Sequence, residues 1–359
     1  MTLFFAPFRR DAELDEQRVL FSECFPENDG LPPETKAFYL RKFDAFPAEP
    51  KSFEYIARDE NGMAGYYAAI PYSYRIDGEV LRCGMVCDVM TAPRMRGQGV
   101  FTKLGSYSLG ELEKAGIDFV TGYPRRASVI PGHLKVGWKI AFQLPLYIMP
   151  LKTNAMLRSR KVGFLAPLAN AALALMNAGR SLLEPRDKAI RSRVWNWRKF
   201  LSQGDYDGFL SRWREGRRYT LNKDRDYLQW RLSIQGADYH IVTATKGSEL
   251  VGVSILRACD PEGVPSLGIL DSMCIGDDPR ILAAMALEWR KLAARTGGEA
   301  LLMMMSELRA HERRLWRHGF LKSPIIFSLI IKCLSRRASE LVLPDPACWD
   351  LMWIDSDDL

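Results

Sequence analysis

Asp88-Val89-Met90-Thr91-Ala92-Pro93-Arg94-Met95-Arg96-Gly97-Gln98-Gly99-Val100-Phe101-Thr102-Lys103-Leu104 is the stretch from which the rest of the chain is best read. An apolar strand runs into a turn broken by Gly97 and Gly99, and the turn opens a helix whose Phe101, Leu104 and Leu112 share one face. Glycines lack Cβ, so backbone N–H groups can converge on an anion there. The helix N-terminus adds roughly half a positive charge at the same point. A diphosphate is the guest that such a turn suits. The dinucleotide-binding pattern is absent, because no third glycine or ribose-binding acid stands at the required spacing, and no Gly-Lys-Ser/Thr follows to make a P-loop.

Working outward, residues 1–150 alternate strands and helices. Leu14 to Phe25 and Glu34 to Phe43 have apolar residues at helical spacing. Ser52 to Asp59 and Gly62 to Tyr74 flank an Asn61-Gly62 turn, and Ile76-Asp77-Gly78-Glu79 predicts a second hairpin leading into Leu81 to Met90. After the glycine turn and its helix, Ile117 to Tyr123 is a buried strand and Ala127 to Val136 a short helix closed by Gly137. Lys139 to Met149 returns as a strand. The order echoes between about Tyr227 and Leu334. A hairpin around Gly247 and the strand Leu267 to Ile275 come first. A helix follows, with Asp278 as N-cap, Pro279 at its first position and Gly297 beyond its end, then the strand Ala300 to Met305, a helix over Leu308 to His318, and the strand Ile325 to Cys333. Lys135-Val136-Gly137-Trp138 and Arg317-His318-Gly319-Phe320 occupy matching places, so an internal duplication is expected.

Composition bounds the rest. A chain of 359 residues with 47% hydrophobic and 26% charged residues is long enough for two cores and is not disordered. Seven scattered cysteines with no Cys-x-x-Cys pair argue against structural zinc and a disulfide framework, and no metal is expected. The first ten residues reverse the order of a signal peptide, so a cytoplasmic location is the default expectation. Net charge is +7, but Leu151 to Phe200 holds 11 basic and 2 acidic residues, a local +9 that leaves the remainder at −2. A nucleic-acid partner is therefore not expected, since its basic face would run through a folded domain. Residues 152–199 mix these charges with an apolar helix over Phe164 to Met176 and with Trp195 and Trp197, a pattern that fits a solvated linker, a peripheral membrane contact or a grip on an acidic glycan or lipid-linked sugar.

The glycine turn and its surroundings resemble the GCN5-related N-acetyltransferases (GNAT), whose acyl-CoA loop commonly reads valine-x-proline-x-x-Arg/Gln-Gly-x-Gly-x-Gly/Ala. Thr91 to Phe101 fits it in order. Arg94 matches the spacing literally, whereas anchoring on Pro93 makes Arg96 the first motif residue and leaves Phe101 where Gly or Ala is usual. The resemblance implies an α/β architecture (an α+β mixed sheet) of two GNAT-like acyl-CoA N-acyltransferase domains in tandem, the second degenerate. Residues 1–150 would bind acyl-CoA, 151–215 form a basic helical connector, 216–335 the degenerate domain and 336–359 a C-terminal tail. It implies acetyl-CoA or another acyl-CoA as co-substrate and transfer to a small-molecule or glycan amine, with an amino sugar of a surface polysaccharide preferred.

The backbone of Val89 and Thr91 would then meet pantetheine, and Arg96, Gly97, Gln98, Gly99, Val100, Phe101 and Thr102 the diphosphate. Many relatives place a tyrosine four residues before the glycine–aromatic pair; His133 stands there as candidate general acid, with Tyr123 as substitute. Asp88 is the candidate base. In the second half, Asp277 and Asp278 stand where a diphosphate would sit and Leu315 replaces the proton donor, so that half should not bind CoA. The tandem arrangement resembles the enhanced-intracellular-survival acetyltransferases, which implies a base role for the terminal carboxylate, here that of Leu359. Two other classes stay open on sequence alone: a non-catalytic binding module for membrane or polyanion, and an aminoacyl transferase of related fold that uses charged tRNA.

Overall fold

The computed structural model describes residues 2–124, 126–234 and 236–357. In chain order the strands are β1 (Phe4–Pro7), β2 (Phe53–Asp59), β3 (Gly62–Ile76), β4 (Glu79–Thr91), β5 (Phe119–Gly122), β6 (Lys139–Pro150), β7 (Ile190–Asn196), β8 (Tyr219–Leu221), β9 (Tyr239–Lys246), β10 (Glu249–Cys259), β11 (Ser266–Cys274), β12 (Ala300–Met304) and β13 (Leu321–Cys333). They form two compact units that are not contiguous in sequence. The first takes Met1–Phe142, Arg218–Gln235 and Ser328–Cys348; the second takes Gln143–Arg217, Gly236–Phe327 and Trp349–Leu359.

The first unit has the strand order β1-β2-β3-β4-β5-β13. Its pairs are antiparallel except β4 with β5. Both expected hairpins are present: Asp59 faces Gly62, and Ile76 faces Glu79 across Asp77-Gly78, whose two positive φ angles are those of a type I′ turn. The helix Val100–Lys114 buries Val100, Leu104, Leu109 and Leu112 against this sheet. One short strand escaped the sequence reading: β8 pairs Tyr219–Leu221 with Tyr74–Ile76 of β3.

The second unit has the order β7-β9-β10-β11-β12-β6, antiparallel except β11 with β12. The two sheets thus share strand order and sense, as a duplication requires. The last place in each is taken by a strand from the other repeat. Ile330–Cys333 of β13 closes the first sheet against Phe119–Gly122, and Leu146–Pro150 of β6 closes the second against Ala300–Met304. The helix Pro279–Thr296 ends as expected, with Asp278 capping the Arg280 amide and Gly297 left-handed at φ 77°. It buries Met285, Trp289 and Ala293 in a core shared with Leu267, Ile269, Leu301 and Met303.

Two local expectations are corrected. The basic segment is not wholly helical: Ile190–Asn196 is the edge strand β7, fixed to β9 along its length and by a Trp195 Nε1 donation to Thr243 Oγ1 at 3.0 Å. The expected helix Leu308 to His318 is broken. Glu307–Glu312 is α-helical, Arg314 turns left-handed at φ 51°, and Leu315–His318 is a 3-10 turn.

Candidate active site

The site is built where β4 and β5 part. Cys83–Met85 pair in parallel with Phe119–Thr121, and among the described residues no ladder joins the two strands beyond that point. A bulge in β4 opposite Tyr66 and Ala68 holds Asp88 in a left-handed conformation at φ 47°, so Asp88 and Val89 leave the regular ladder. The Lys42 Nζ donates to Asp88 Oδ1 at 2.9 Å, and both side chains are largely buried. Asp88 is therefore an ion-paired group at the start of the splay. Lys42, on the helix Lys36–Phe43, carried no signal in the sequence beyond its charge. Thr91 ends the strand with its Oγ1 buried and unpartnered and its carbonyl accepting from Cys24 Sγ at 3.3 Å.

The loop that follows is shaped by its glycines. Pro93–Met95 forms one 3-10 turn, Gly97 and Gly99 both adopt φ 77°, and the helix begins at Val100. Arg96 to Gly99 are exposed. The first intrahelical bond runs from the Lys103 amide to Gly99 O at 3.1 Å. Among the described residues, the amides of Gly97, Gly99, Val100, Phe101 and Thr102 therefore have no protein acceptor. Several donors and a helix dipole converge on one exposed turn, which is the arrangement an anionic diphosphate requires.

The neighbouring side chains are arranged around the loop without filling it. Arg94 forks onto Asp59, holding that carboxyl below its usual range, and also donates to Met63 O. It is thus committed to the framework, whereas Arg96 is exposed. Gln98 Nε2 donates to Arg94 O at 3.0 Å, and Thr102 Oγ1 to Gly99 O at 3.0 Å. The Phe101 ring packs edge-on to His133 at 5.0 Å, and a Cβ on Gly132 would lie 2.6 Å from Phe101 Cε1. The unusual aromatic at 101 is thus matched by a residue without a side chain at 132.

His133 lies on the short helix Ile130–Lys135, 6% exposed, with the Trp138 ring 4.9 Å away on its other side. Among the described residues its ring nitrogens have no hydrogen-bond partner. Burial alone pushes its pKa down to about 4, so the ring is neutral at pH 7. Tyr123 stands just past the end of β5, its hydroxyl 3.4 Å from that of Tyr74 and its ring buried. Leu359 lies outside the described residues.

The matching place in the second unit is closed. There β11 and β12 pair over Ser266–Ile269 and Ala300–Met303 and then part in the same way. Arg313 donates to Ser272 O at 2.7 Å, and Arg217 donates to Cys274 O at 3.1 Å. Both guanidiniums bind Asp277 Oδ1, and Arg217 also binds Asp350. Burial alone would lower the Arg313 pKa; Asp350 and Asp277 outweigh it and hold the pKa above its ordinary value. The helix N-terminus is satisfied by Asp278, which accepts from the Arg280 amide at 2.8 Å and pairs with the Arg280 side chain. Leu315 is buried in the core. The first turn leaves amides without an acceptor among the described residues, whereas in the second Asp278 caps the helix and two guanidiniums stand on the strand carbonyls. The two aspartates were visible in sequence, but Arg217 and Arg313 were not.

Comparison with known proteins agrees with this geometry. Residues 9–141 match the acetyltransferase (GNAT) domain model. No curated protein sequence is significantly similar. Among solved structures, a GCN5-related N-acetyltransferase from Anabaena variabilis is 11% identical with a TM-score of 0.64, covering 93% of this chain and 73% of that one. N-myristoyltransferase from Saccharomyces cerevisiae, solved with bound myristoyl-CoA, is 11% identical with a TM-score of 0.58, covering 92% and 78%. Eis1 from Mycobacterium abscessus is 12% identical with a TM-score of 0.56, covering 94% and 75%. At these identities the structures speak for the fold, and the domain model for the family. Residues 9–141 therefore carry an acetyltransferase (GNAT) domain, and the chain as a whole shares the fold of these structures.

Proposed function

We propose that the protein transfers an acetyl group, or a longer acyl group, from its CoA thioester directly to an amine, with an amino sugar of a surface polysaccharide as the preferred acceptor. The observation that carries the proposal is the set of amides at Gly97 and at Gly99 to Thr102 that have no acceptor among the described residues, beside the parted β4 and β5. Those donors suit the diphosphate, and the unladdered edge around Val89 and Thr91 suits the amide groups of pantetheine. Direct attack by a neutral amine then needs no enzyme nucleophile. It needs a proton acceptor for the ammonium that forms and a donor for the departing thiolate.

Asp88, held at the bulge by Lys42, is the candidate acceptor of that proton. For the donor, Tyr123 is favoured over His133. A tyrosine hydroxyl can donate without first being charged, whereas His133 lacks the second proton at neutral pH. His133 then acts as a positioning residue, holding Phe101 and Trp138 on either side. The test is release of CoA thiol from acetyl-CoA across amino sugars, aminoglycosides and polyamines, together with calorimetry of acetyl-CoA binding. A Cβ on Gly97 meets nothing within 4 Å but sits at φ 77°, which strains a side chain by about 1–2 kcal/mol, so Gly97→Glu is expected to fold with a modest loss of stability, to place a carboxylate in the anion site and to lose binding. Tyr123→Phe is expected to lower kcat with little change in acetyl-CoA affinity. No heat of binding by the wild type, or binding that Gly97→Glu leaves unchanged, overturns the reading in favour of a non-catalytic module.

A further inference from the structure

The helix Ala166–Leu183 is inside out. The residues it turns towards its own unit are Ala166, Asn170, Leu173, Asn177 and Arg180, spaced by three and four. Asn170 Oδ1 accepts from the Thr153 amide at 2.8 Å and its Nδ2 donates to Asn154 Oδ1 at 2.8 Å; Asn177 Nδ2 donates to Pro150 O at 3.1 Å. The opposite face presents Leu168, Ala171, Leu175, Ala178 and Leu182 to solvent. Phe164, Leu168, Leu175, Leu182 and Leu183 are between 76% and 87% exposed. From Val162 to Gly179 there is no charged residue. Globular helices put their apolar stripe inward, and isolated exposed leucines are ordinary, but a continuous apolar face backed by half-buried, hydrogen-bonded asparagines is not.

Charge identifies the occupant. Exposed Arg158, Arg160 and Lys161 precede the helix, and exposed Arg186 and Lys188 follow it, within a segment of 11 basic and 2 acidic residues. Both acids are already engaged: Glu184 binds Arg290 and His318, and Asp187 lies by Lys246 and Arg280. A second copy of the chain docked on this face would bring two strongly basic rims together. A bilayer carrying anionic headgroups offers hydrocarbon for the leucines and negative charge for the rim at the same depth. Among the described residues no helix is long and apolar enough to cross a membrane, so the contact is interfacial. We propose that Phe164 to Leu183 is a peripheral docking surface for anionic membranes, lying flat with its leucine face in the headgroup boundary.

The test uses the full chain and vesicles of phosphatidylcholine with or without phosphatidylglycerol. Flotation with the anionic vesicles is expected at about 0.1 M salt and is expected to weaken markedly at about 1 M, where the rim charges are screened. Combined Leu168→Glu, Leu175→Glu and Leu182→Glu should cut vesicle partitioning by at least about tenfold. Thermal unfolding and acetyl-CoA affinity should be unchanged, because these side chains face solvent. Absence of flotation at low salt overturns the proposal, as does flotation that the triple variant retains. A dimer by light scattering that the triple variant dissociates overturns it in favour of a second copy.

Discussion

Replacing His133 by leucine tests the burial on which the site's electrostatics rest. The matching position in the second repeat is Leu315, so the substitution is one that this architecture already accommodates. In the wild type the imidazole titrates near 6.5 when the chain is unfolded and near about 4 when it is buried between Phe101 and Trp138. Between those values the unfolded state binds more protons than the folded one, so stability rises with pH there. The His133 contribution is complete above pH 6.5, is lost as pH falls towards about 4, and changes no further below that. At about 1.4 kcal/mol per unit the full difference is about 3 kcal/mol, of which about 2.5 kcal/mol has gone by pH 4.5. The assay is urea unfolding of wild type and His133→Leu at neutral pH and near pH 4.5. Other carboxyls and histidines titrate in both proteins and cancel in the difference. The wild type is expected to lose about 2.5 kcal/mol more than the variant on acidification. An equal pH response in the two proteins would refute the buried, neutral ring. The same variant should keep the basic limb of its kcat/KM profile, since a ring that has already lost its second proton at pH 7 cannot be the acid whose ionisation sets that limb.

Two further substitutions probe the packing around each glycine turn. Gly132→Ala forces a methyl to within 2.6 Å of the Phe101 ring and should cost about 1–3 kcal/mol, most of it recovered in the double variant with Phe101→Ala, as read by a thermal-denaturation cycle. Arg313→Ala leaves the buried Ser272 carbonyl without its donor and Asp277 with one fewer partner. It should lower unfolding stability by about 3 kcal/mol and leave the acetyl-CoA affinity of the first unit where it was, a separation that calorimetry checks directly.

Much of this arrangement is written locally and was therefore readable. Asn61-Gly62, Asp77-Gly78, Asp278-Pro279 and Gly297 are short-range signals, because the dihedral angles they favour belong to single residues. Gly97 and Gly99 gave the turn that opens the helix for the same reason. What escaped reading was pairing between distant segments. Ile190–Asn196 does alternate, with Arg191 and Arg193 exposed between half-buried Ile190, Ser192 and Val194. Only two of the three inward residues at the start of this edge strand are apolar, which is too short a signal to read inside a basic segment. Lys42, Arg217 and Arg313 look like ordinary surface charges in sequence. Their roles arise only when Asp88, Cys274 and Ser272 are brought beside them. His133 failed differently: its chemistry was read from residue type, whereas its protonation state is set by two rings, Phe101 and Trp138, that its position alone does not reveal.

The exchange of closing strands makes one consequence sharp. A fragment ending at Pro150, where the alternation of elements stops in sequence, lacks Ser328–Cys333 and so leaves Phe119–Gly122 as an unpaired edge in the first sheet. It also lacks Tyr219–Leu221, which covers Tyr74–Ile76, and it carries Leu146–Pro150 stripped of its partners Ala300–Met304. Leu144, Leu146 and Met149 are buried in the full chain and would be exposed in the fragment. Unpaired backbone edges next to an apolar strand are templates for association between chains. The fragment 1–150 is therefore expected to aggregate or to bind acetyl-CoA far more weakly than the full chain. A monodisperse fragment with full-chain affinity in calorimetry would show that the first repeat closes its own sheet and that the exchanged strand is dispensable. The duplicated half would then serve something other than completing the fold of the half that carries the glycine turn.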